Sequence, residues 1–195
     1  MALAFWRNLR LAVTLFVILG LGYSLLLVGI GQEFFPYQAQ GSLMVEKGQV
    51  VGSSLIGQEF SVPGLFHSRP SATVNAATGR PEPYNADNSS GSNLGPTSPA
   101  LLKEIRTNMA FQRGQVTGPM PGNLVESSAS GLDPEITLQA ALAQVPAIAR
   151  QTGIARGVLR NLVLNQAQGP FLGLYGPWRV NVLKLNLAVR QIEGR

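Results

Sequence analysis

One uncharged stretch near the N-terminus constrains this chain more than any other feature. Leu11–Ile30 reads LAVTLFVILGLGYSLLLVGI and carries no charge. As a helix it would span about 30 Å, which is the thickness of the hydrocarbon core of a bilayer. A cleaved signal peptide is the alternative, but its apolar region is usually only about 7–15 residues long, and no Ala-x-Ala site follows here. We therefore predict a retained transmembrane helix over residues 11–30.

The charges that flank this helix predict its orientation. Arg7 and Arg10 precede it, whereas no cation follows it until Lys47. Because cytoplasmic flanks carry the excess of basic residues, the N-terminus should lie inside the cell. We expect residues 1–10 to be cytoplasmic and residues 31–195 to form an extracytoplasmic domain, which in a bacterium would face the periplasm from the inner membrane.

The pattern of apolar residues after the helix predicts an α+β domain with a few strands and about three helices. Pro146 should kink or split one of these helices, because proline removes an amide donor and crowds the preceding turn. The alternation in VNVLKLNLAV favours a strand near the C-terminus. The predicted elements are a hairpin around Glu46-Lys47-Gly48, helices that begin near Pro99, Thr137 and Val158, and a strand over Val180–Val189.

A proline-rich stretch, residues 61–99, interrupts this pattern. Six prolines alternate there with Ser, Asn and Gly, which is also the composition of a disordered linker. The stretch nevertheless holds Leu65, Phe66 and Tyr84, and a structureless loop of this length inside a small domain is uncommon and often functional. We therefore expect a long ordered polar loop. Its part rich in Asn and Ser, residues 84–98, suits contact with a partner as well as a simple connection.

The residues needed for most enzyme chemistry are missing. The chain has no cysteine and one histidine, His67, whose neighbours are typical of a structural turn. No phosphate-binding loop, dinucleotide fingerprint, nucleophile elbow or zinc-protease motif occurs. A Ser–Lys dyad would need Lys47, Lys103 or Lys184, and none of them has neighbours that predict burial. We expect no catalytic residue, no metal site and no directly bound cofactor.

The charge balance does not indicate a nucleic-acid partner. Fifteen Lys and Arg against ten Asp and Glu give the chain a net charge of +5. Without the two arginines that precede the helix, the outer domain is only +3, and its arginines are dispersed along the sequence. A solvated surface explains them.

Several long motifs resemble a known family, the C subunit of the Kdp-type high-affinity potassium-transporting ATPase of bacteria. The resemblance covers almost the whole chain, including the single N-terminal helix. One departure is Glu135, which follows Asp133-Pro134 where the family pattern would have histidine. The motifs are GSL at 41–43, VVGSSLIGQ at 50–58, RPSA at 69–72, PYNA at 83–86, GSNLGPTSPALL at 91–102, SASGLDP at 128–134 and RVNVLKLNLAV at 179–189.

The resemblance implies a non-catalytic accessory subunit of a membrane complex that imports potassium. Its partners would be a channel-like pore subunit, a P-type ATPase subunit and a small hydrophobic subunit, which handle K⁺ and ATP themselves. The family is described as a catalytic chaperone that raises the affinity of the ATPase subunit for ATP. From outside the cell such an effect would have to be indirect, through coupling across the complex.

Two other classes stay open at the level of sequence, namely a membrane-anchored extracytoplasmic hydrolase of the Ser/Lys type and an envelope-binding module. For the accessory subunit, the candidate partner-interface residues come from a small-xxx-small step in the helix, from the polar loop and from SASGLDP. They are Gly20, Ser24, Tyr84, Asn85, Ser92, Asn93, Gly95, Pro96, Ser130, Gly131 and Asp133.

Overall fold

The structure is a computed structural model that describes residues 2–194. The chain divides into two compact units, residues 1–51 and residues 52–195. Met1 and Arg195, which belong to the predicted segments 1–10 and 31–195, lie outside the described residues.

The N-terminal unit is dominated by one long apolar helix. It consists of α1 (Ala2–Leu15), a π-helical stretch (Phe16–Gly22) and α2 (Tyr23–Phe34). Its 32 residues Leu3–Phe34 are long and apolar enough to cross a membrane. At 1.5 Å per residue they extend about 48 Å, so the helix exceeds the predicted 11–30 at both ends.

The long helix ends where proline forbids its continuation. Phe35 leaves the helical region with φ −136° and ψ 51°, as expected for a residue that precedes proline. Pro36 then opens the short helix α3 (Pro36–Ala39).

A β-hairpin follows, as predicted. Strands β1 (Leu43–Glu46) and β2 (Gln49–Ser53) form a two-stranded sheet. Lys47 and Gly48 between them have φ values of 50° and 80°. Positive φ at both positions is what a type I′ turn needs, and this turn matches the twist of the two strands.

The second unit contains four helices and a second small sheet. Strand β3 (Glu135–Thr137) pairs antiparallel with β4 (Arg179–Asn181), with Ile136 opposite Val180. The helices of this unit are α4 (Pro99–Gln112), α5 (Leu138–Thr152), α6 (Arg156–Gln166) and α7 (Val182–Glu193). The buried core comes from β3, β4, α5, α6, α7, the long loop and a short 3₁₀ helix (Gly122–Leu124), and includes Phe66, Leu124, Ile136, Ile148, Leu159, Val163, Val180, Leu185 and Val189.

The predicted strand over Val180–Val189 is wrong. Only Arg179–Asn181 is extended, and α7 begins at Val182, because the Asn181 side chain caps it by accepting a hydrogen bond from Lys184 N at 3.0 Å. The alternation of Leu183, Leu185 and Leu187 misled the prediction, since the buried face of α7 is wide enough to include all three.

The other predicted helices are confirmed. Pro99 is the first residue of α4, although the Ser98 side chain makes no capping bond. Thr137 caps α5, where its Oγ1 accepts a hydrogen bond from Ala140 N at 3.2 Å. Pro146 lies inside α5 without splitting it. The α+β class is therefore correct.

Candidate functional site

Two side-chain amides bond to the backbone N–H and C=O groups of residues 66 and 67, near the start of the long loop (residues 61–99). Phe66 N donates to Asn186 Oδ1 at 2.7 Å, and Asn186 Nδ2 donates to Phe66 O at 2.9 Å. Gln144 does the same for His67, accepting from its N–H at 2.7 Å and donating to its C=O at 3.3 Å. All four residues are buried, so these bonds satisfy backbone groups that water does not reach.

The middle of the loop is tied together by hydroxyl groups. Ser71 Oγ donates to Gly131 O at 2.7 Å and accepts from Tyr84 N at 2.9 Å. Thr73 Oγ1 accepts from Asn85 N at 3.1 Å. The predicted order of this polar segment thus comes from short side chains that bond to backbone groups.

Glycines allow the SASGLDP segment to approach this loop closely. Gly131 has φ +67°, and a Cβ placed on it would lie 2.5 Å from Thr73 Cγ2 and 2.6 Å from Ser90 O. A Cβ on Gly91 would lie 2.7 Å from Ala129 O. The two segments therefore fit together only with hydrogen atoms at these positions.

An ion pair and a tyrosine hydrogen bond add further links to the contact between the loop and the SASGLDP segment. Arg69 Nη1 lies 2.8 Å from Asp133 Oδ2, and the Tyr84 hydroxyl donates to Arg69 O at 2.8 Å. Burial raises the pKa of Tyr84 to about 12, with a smaller opposing effect from a hydrogen bond to Ser68. Tyr84 therefore remains a neutral donor at every physiological pH.

A cleft of about 400 Å³ opens beside this tyrosine. His67 forms part of its wall and stacks on Phe111, with ring centroids 5.5 Å apart. Burial lowers the pKa of His67. His67 Nδ1 and Gln112 Oε1 have no hydrogen-bond partner among residues 2–194. The cleft is further lined by Glu59, Phe60, Ser61, Ser68, Arg69, Pro70, Ser71, Pro83, Tyr84, Thr107, Asn108 and Leu124.

Glu135, the departure from the family pattern, has a structural role. Its Oε2 lies 2.8 Å from Arg179 Nε, which joins the two strands of the second sheet by an ion pair. This pair links the residue that follows SASGLDP to Arg179, the first residue of the RVNVLKLNLAV motif.

The site consists of side chains that hold backbone segments in place. Within the described residues, no three His, Asp or Glu side chains are placed to share a metal ion. The lysines of the conceivable Ser–Lys dyad, Lys47, Lys103 and Lys184, are exposed or half-buried, whereas an activated lysine is buried. The geometry on this side of the second unit is therefore a set of segments fixed by hydrogen bonds and close contacts.

The structure brings five of the sequence-predicted site residues together, because their motifs form one contact in the second unit. The small-xxx-small step belongs instead to the N-terminal unit, and both of its residues are exposed. The residues that take part in the contact are Tyr84, Asn85, Ser130, Gly131 and Asp133. Of the others in the second unit, Ser92 is half-buried, and the exposed ones are Asn93, Gly95 and Pro96. In the first unit, Gly20 lies in the π-helical stretch and Ser24 lies in α2.

Sequence reasoning missed the buried amides. Gln112, Gln144 and Asn186 lie on helices, where an amide usually faces solvent, and no local pattern distinguishes them. His67, predicted in a structural turn, is instead a buried residue of a segment without regular secondary structure.

His67 predicts an acid-sensitive stability. Because its folded-state pKa is lowered, the unfolded chain takes up the proton first, and stability falls as pH drops below about 6.5. We expect the free energy of unfolding to decline with a slope of up to about 1.4 kcal/mol per pH unit in this window. His67→Gln, which removes the only histidine, should flatten the profile below about pH 6.5 when unfolding is followed by circular dichroism. An unchanged slope in the variant would assign the acid sensitivity to other groups.

Comparison with known proteins identifies relatives of this chain. Residues 5–191 match the family described as "KdpC: K+-transporting ATPase, c chain". A protein of Methylobacterium nodulans named "Potassium-transporting ATPase KdpC subunit" is 48% identical over 194 residues, which cover 96% of each chain. Proteins of the same name from Rhodopseudomonas palustris and Methylorubrum extorquens are 50% and 47% identical over 183 and 193 residues, which cover 91% and 96% of each chain. These matches confirm the resemblance that the sequence motifs indicate.

Proposed function

The chain belongs to the KdpC family, the c chains of K⁺-transporting ATPases, and from this we propose that it is a non-catalytic accessory subunit that docks on the outer face of the pore subunit. It anchors itself by the N-terminal helix and stabilises the potassium-importing complex through its second unit. Pumping and ATP hydrolysis belong to the partner subunits.

The observation that carries this proposal is the interlocked polar loop. Its buried part is fixed by side-chain bonds and close glycine contacts, while residues 93–97 of the same loop are exposed. A surface fixed before binding loses little conformational entropy when a partner covers it. This supports residues 93–97 as the docking edge of the second unit.

The charges at the two ends of the long helix support an outward-facing second unit. Arg7 and Arg10 are its only charged residues before Glu33, so the basic flank precedes the membrane span. With the second unit outside the cell, it cannot meet cytoplasmic ATP, and any effect on ATP affinity is transmitted through the partner subunits.

Cysteine labelling tests sidedness and docking in one experiment. The chain has no cysteine, so Thr97→Cys at the docking edge and Ala76→Cys at an exposed turn each give a single thiol. A membrane-impermeant maleimide is added to right-side-out vesicles that contain either this chain alone or the whole complex, and labelling of this chain is read on a gel.

We expect both thiols to react from outside in the chain alone, and Thr97→Cys to become protected in the complex while Ala76→Cys stays reactive. Reaction only in inverted vesicles would overturn the orientation. Equal reaction of Thr97→Cys with and without the other subunits would remove residues 93–97 from the interface.

A further inference from the structure

A short hairpin of the second unit exposes an unusual amount of apolar surface. This apolar hairpin, Gly169–Trp178, reads GPFLGLYGPW and contains no charged or amide side chain. Large exposed apolar patches on a folded protein mark interaction sites. The exposed fractions of its large side chains are 66% for Phe171, 75% for Leu172, 79% for Leu174, 68% for Tyr175 and 54% for Trp178.

The tip of the apolar hairpin makes several backbone hydrogen bonds within itself. Phe171 and Tyr175 exchange both backbone hydrogen bonds, at 2.8 and 3.0 Å. Gly173 N donates to Pro170 O at 3.0 Å, and Leu174 N donates to Phe171 O at 3.1 Å. Such internal pairing reduces the cost of moving a backbone into a medium with little water.

The apolar hairpin is also firmly mounted. Gln168 and Arg179 exchange both backbone hydrogen bonds at its base, at 2.8 and 3.0 Å, and Arg179 is further held by the ion pair to Glu135. Leu172 at the tip has φ +53°, an unfavourable conformation for a residue with a Cβ. The fold thus maintains a strained turn that keeps large apolar side chains in solvent.

We propose that the apolar hairpin inserts into the interfacial region of the lipid bilayer, as a second membrane contact besides the N-terminal helix. Protein interfaces surround their apolar centre with a polar rim, whereas Gly169–Trp178 carries no charged or amide side chain. Its only side-chain polar groups are the Tyr175 hydroxyl and the Trp178 indole N–H, which are the groups enriched where membrane meets water. Phe171, Leu172 and Leu174 would contact the acyl chains.

The N-terminal helix makes such a weak contact effective. A few apolar side chains bind a membrane poorly on their own, but a chain already tethered to the bilayer makes the second contact at high effective concentration. This inference is independent of subunit docking, because it concerns lipid and a different segment of the second unit.

Spin labelling of single cysteines tests the depth of the hairpin. Leu174→Cys carries a nitroxide in the full chain, reconstituted in phosphatidylcholine vesicles alone and within the whole complex, with Ala76→Cys as the exposed control. We expect the Leu174 label to collide more often with oxygen, which partitions into lipid, than with a water-soluble nickel chelate. The ratio should be reversed for Ala76.

Quenching of Trp178 fluorescence tests the same proposal without a substitution at the tip of the apolar hairpin. Trp6→Phe makes Trp178 the only tryptophan of the chain, and brominated lipids should quench its fluorescence while aqueous iodide should not. Access of the nickel chelate to Leu174 together with iodide quenching of Trp178 would overturn the proposal. A Leu174 label shielded from both collision partners in the complex would also overturn it, since a protein subunit would then cover the hairpin.

Discussion

Replacing Gly131 with alanine is expected to lower the free energy of unfolding by about 2–4 kcal/mol. The new methyl group would stand 2.5 Å from Thr73 Cγ2 and 2.6 Å from Ser90 O, so the loop and the SASGLDP segment would have to separate. Denaturant unfolding of the full chain in detergent measures the loss, and amide hydrogen exchange should show residues 71–91 opening first.

Gly79 provides the matched control for this substitution. It has nearly the same backbone conformation, φ +66°, but a Cβ there would meet nothing within 4 Å. Gly79→Ala should therefore cost only the penalty of the left-handed conformation, about 1 kcal/mol. Equal losses for the two variants would show that backbone conformation, and not close contact, is what Gly131 supplies.

Asn186→Leu is expected to destabilise the second unit by about 2–5 kcal/mol. Leucine fits a helix and is similar in size, but it leaves the N–H and C=O of Phe66 buried without partners. The unfolding transition followed by circular dichroism should move to lower denaturant, and docking in the complex should weaken with it.

An exposed asparagine on α6 separates this effect from a general response to losing an amide. Asn161 is exposed, so Asn161→Ala should leave stability within about 0.5 kcal/mol of the wild type or raise it slightly, because alanine favours a helix. Wild-type stability of Asn186→Leu would mean that the loop backbone finds other partners.

The sequence predicts local features of this fold better than long-range ones. The apolar span, the hairpin turn at Lys47-Gly48 and the Thr137 cap each depend on residues close together in the chain, and all three are present. The C-terminal strand was predicted wrongly because the buried face of α7 is wide enough to include Leu183, Leu185 and Leu187, which alternate along the sequence as they would in a strand.

The candidate site illustrates the same limit. The sequence singles out Tyr84, Gly131 and Asp133 through unusual motifs, but it does not say that they meet, since the contact joins segments far apart in the chain. The amide of Asn186 is invisible to pattern reasoning, because its partner is a backbone group rather than a side chain. The apolar hairpin likewise reads as ordinary core sequence until its exposure is known.

The hydrogen bonds between Phe66 and Asn186 also determine when the long loop can take its final conformation. The two residues are 120 positions apart in the chain. Since ribosomes synthesise proteins from the N-terminus, the proline-rich stretch is made long before the residue that anchors it. Residues 66 and 67 can therefore take their final conformation only after α7 has been synthesised, so the stretch spends that interval without its buried hydrogen-bond partners.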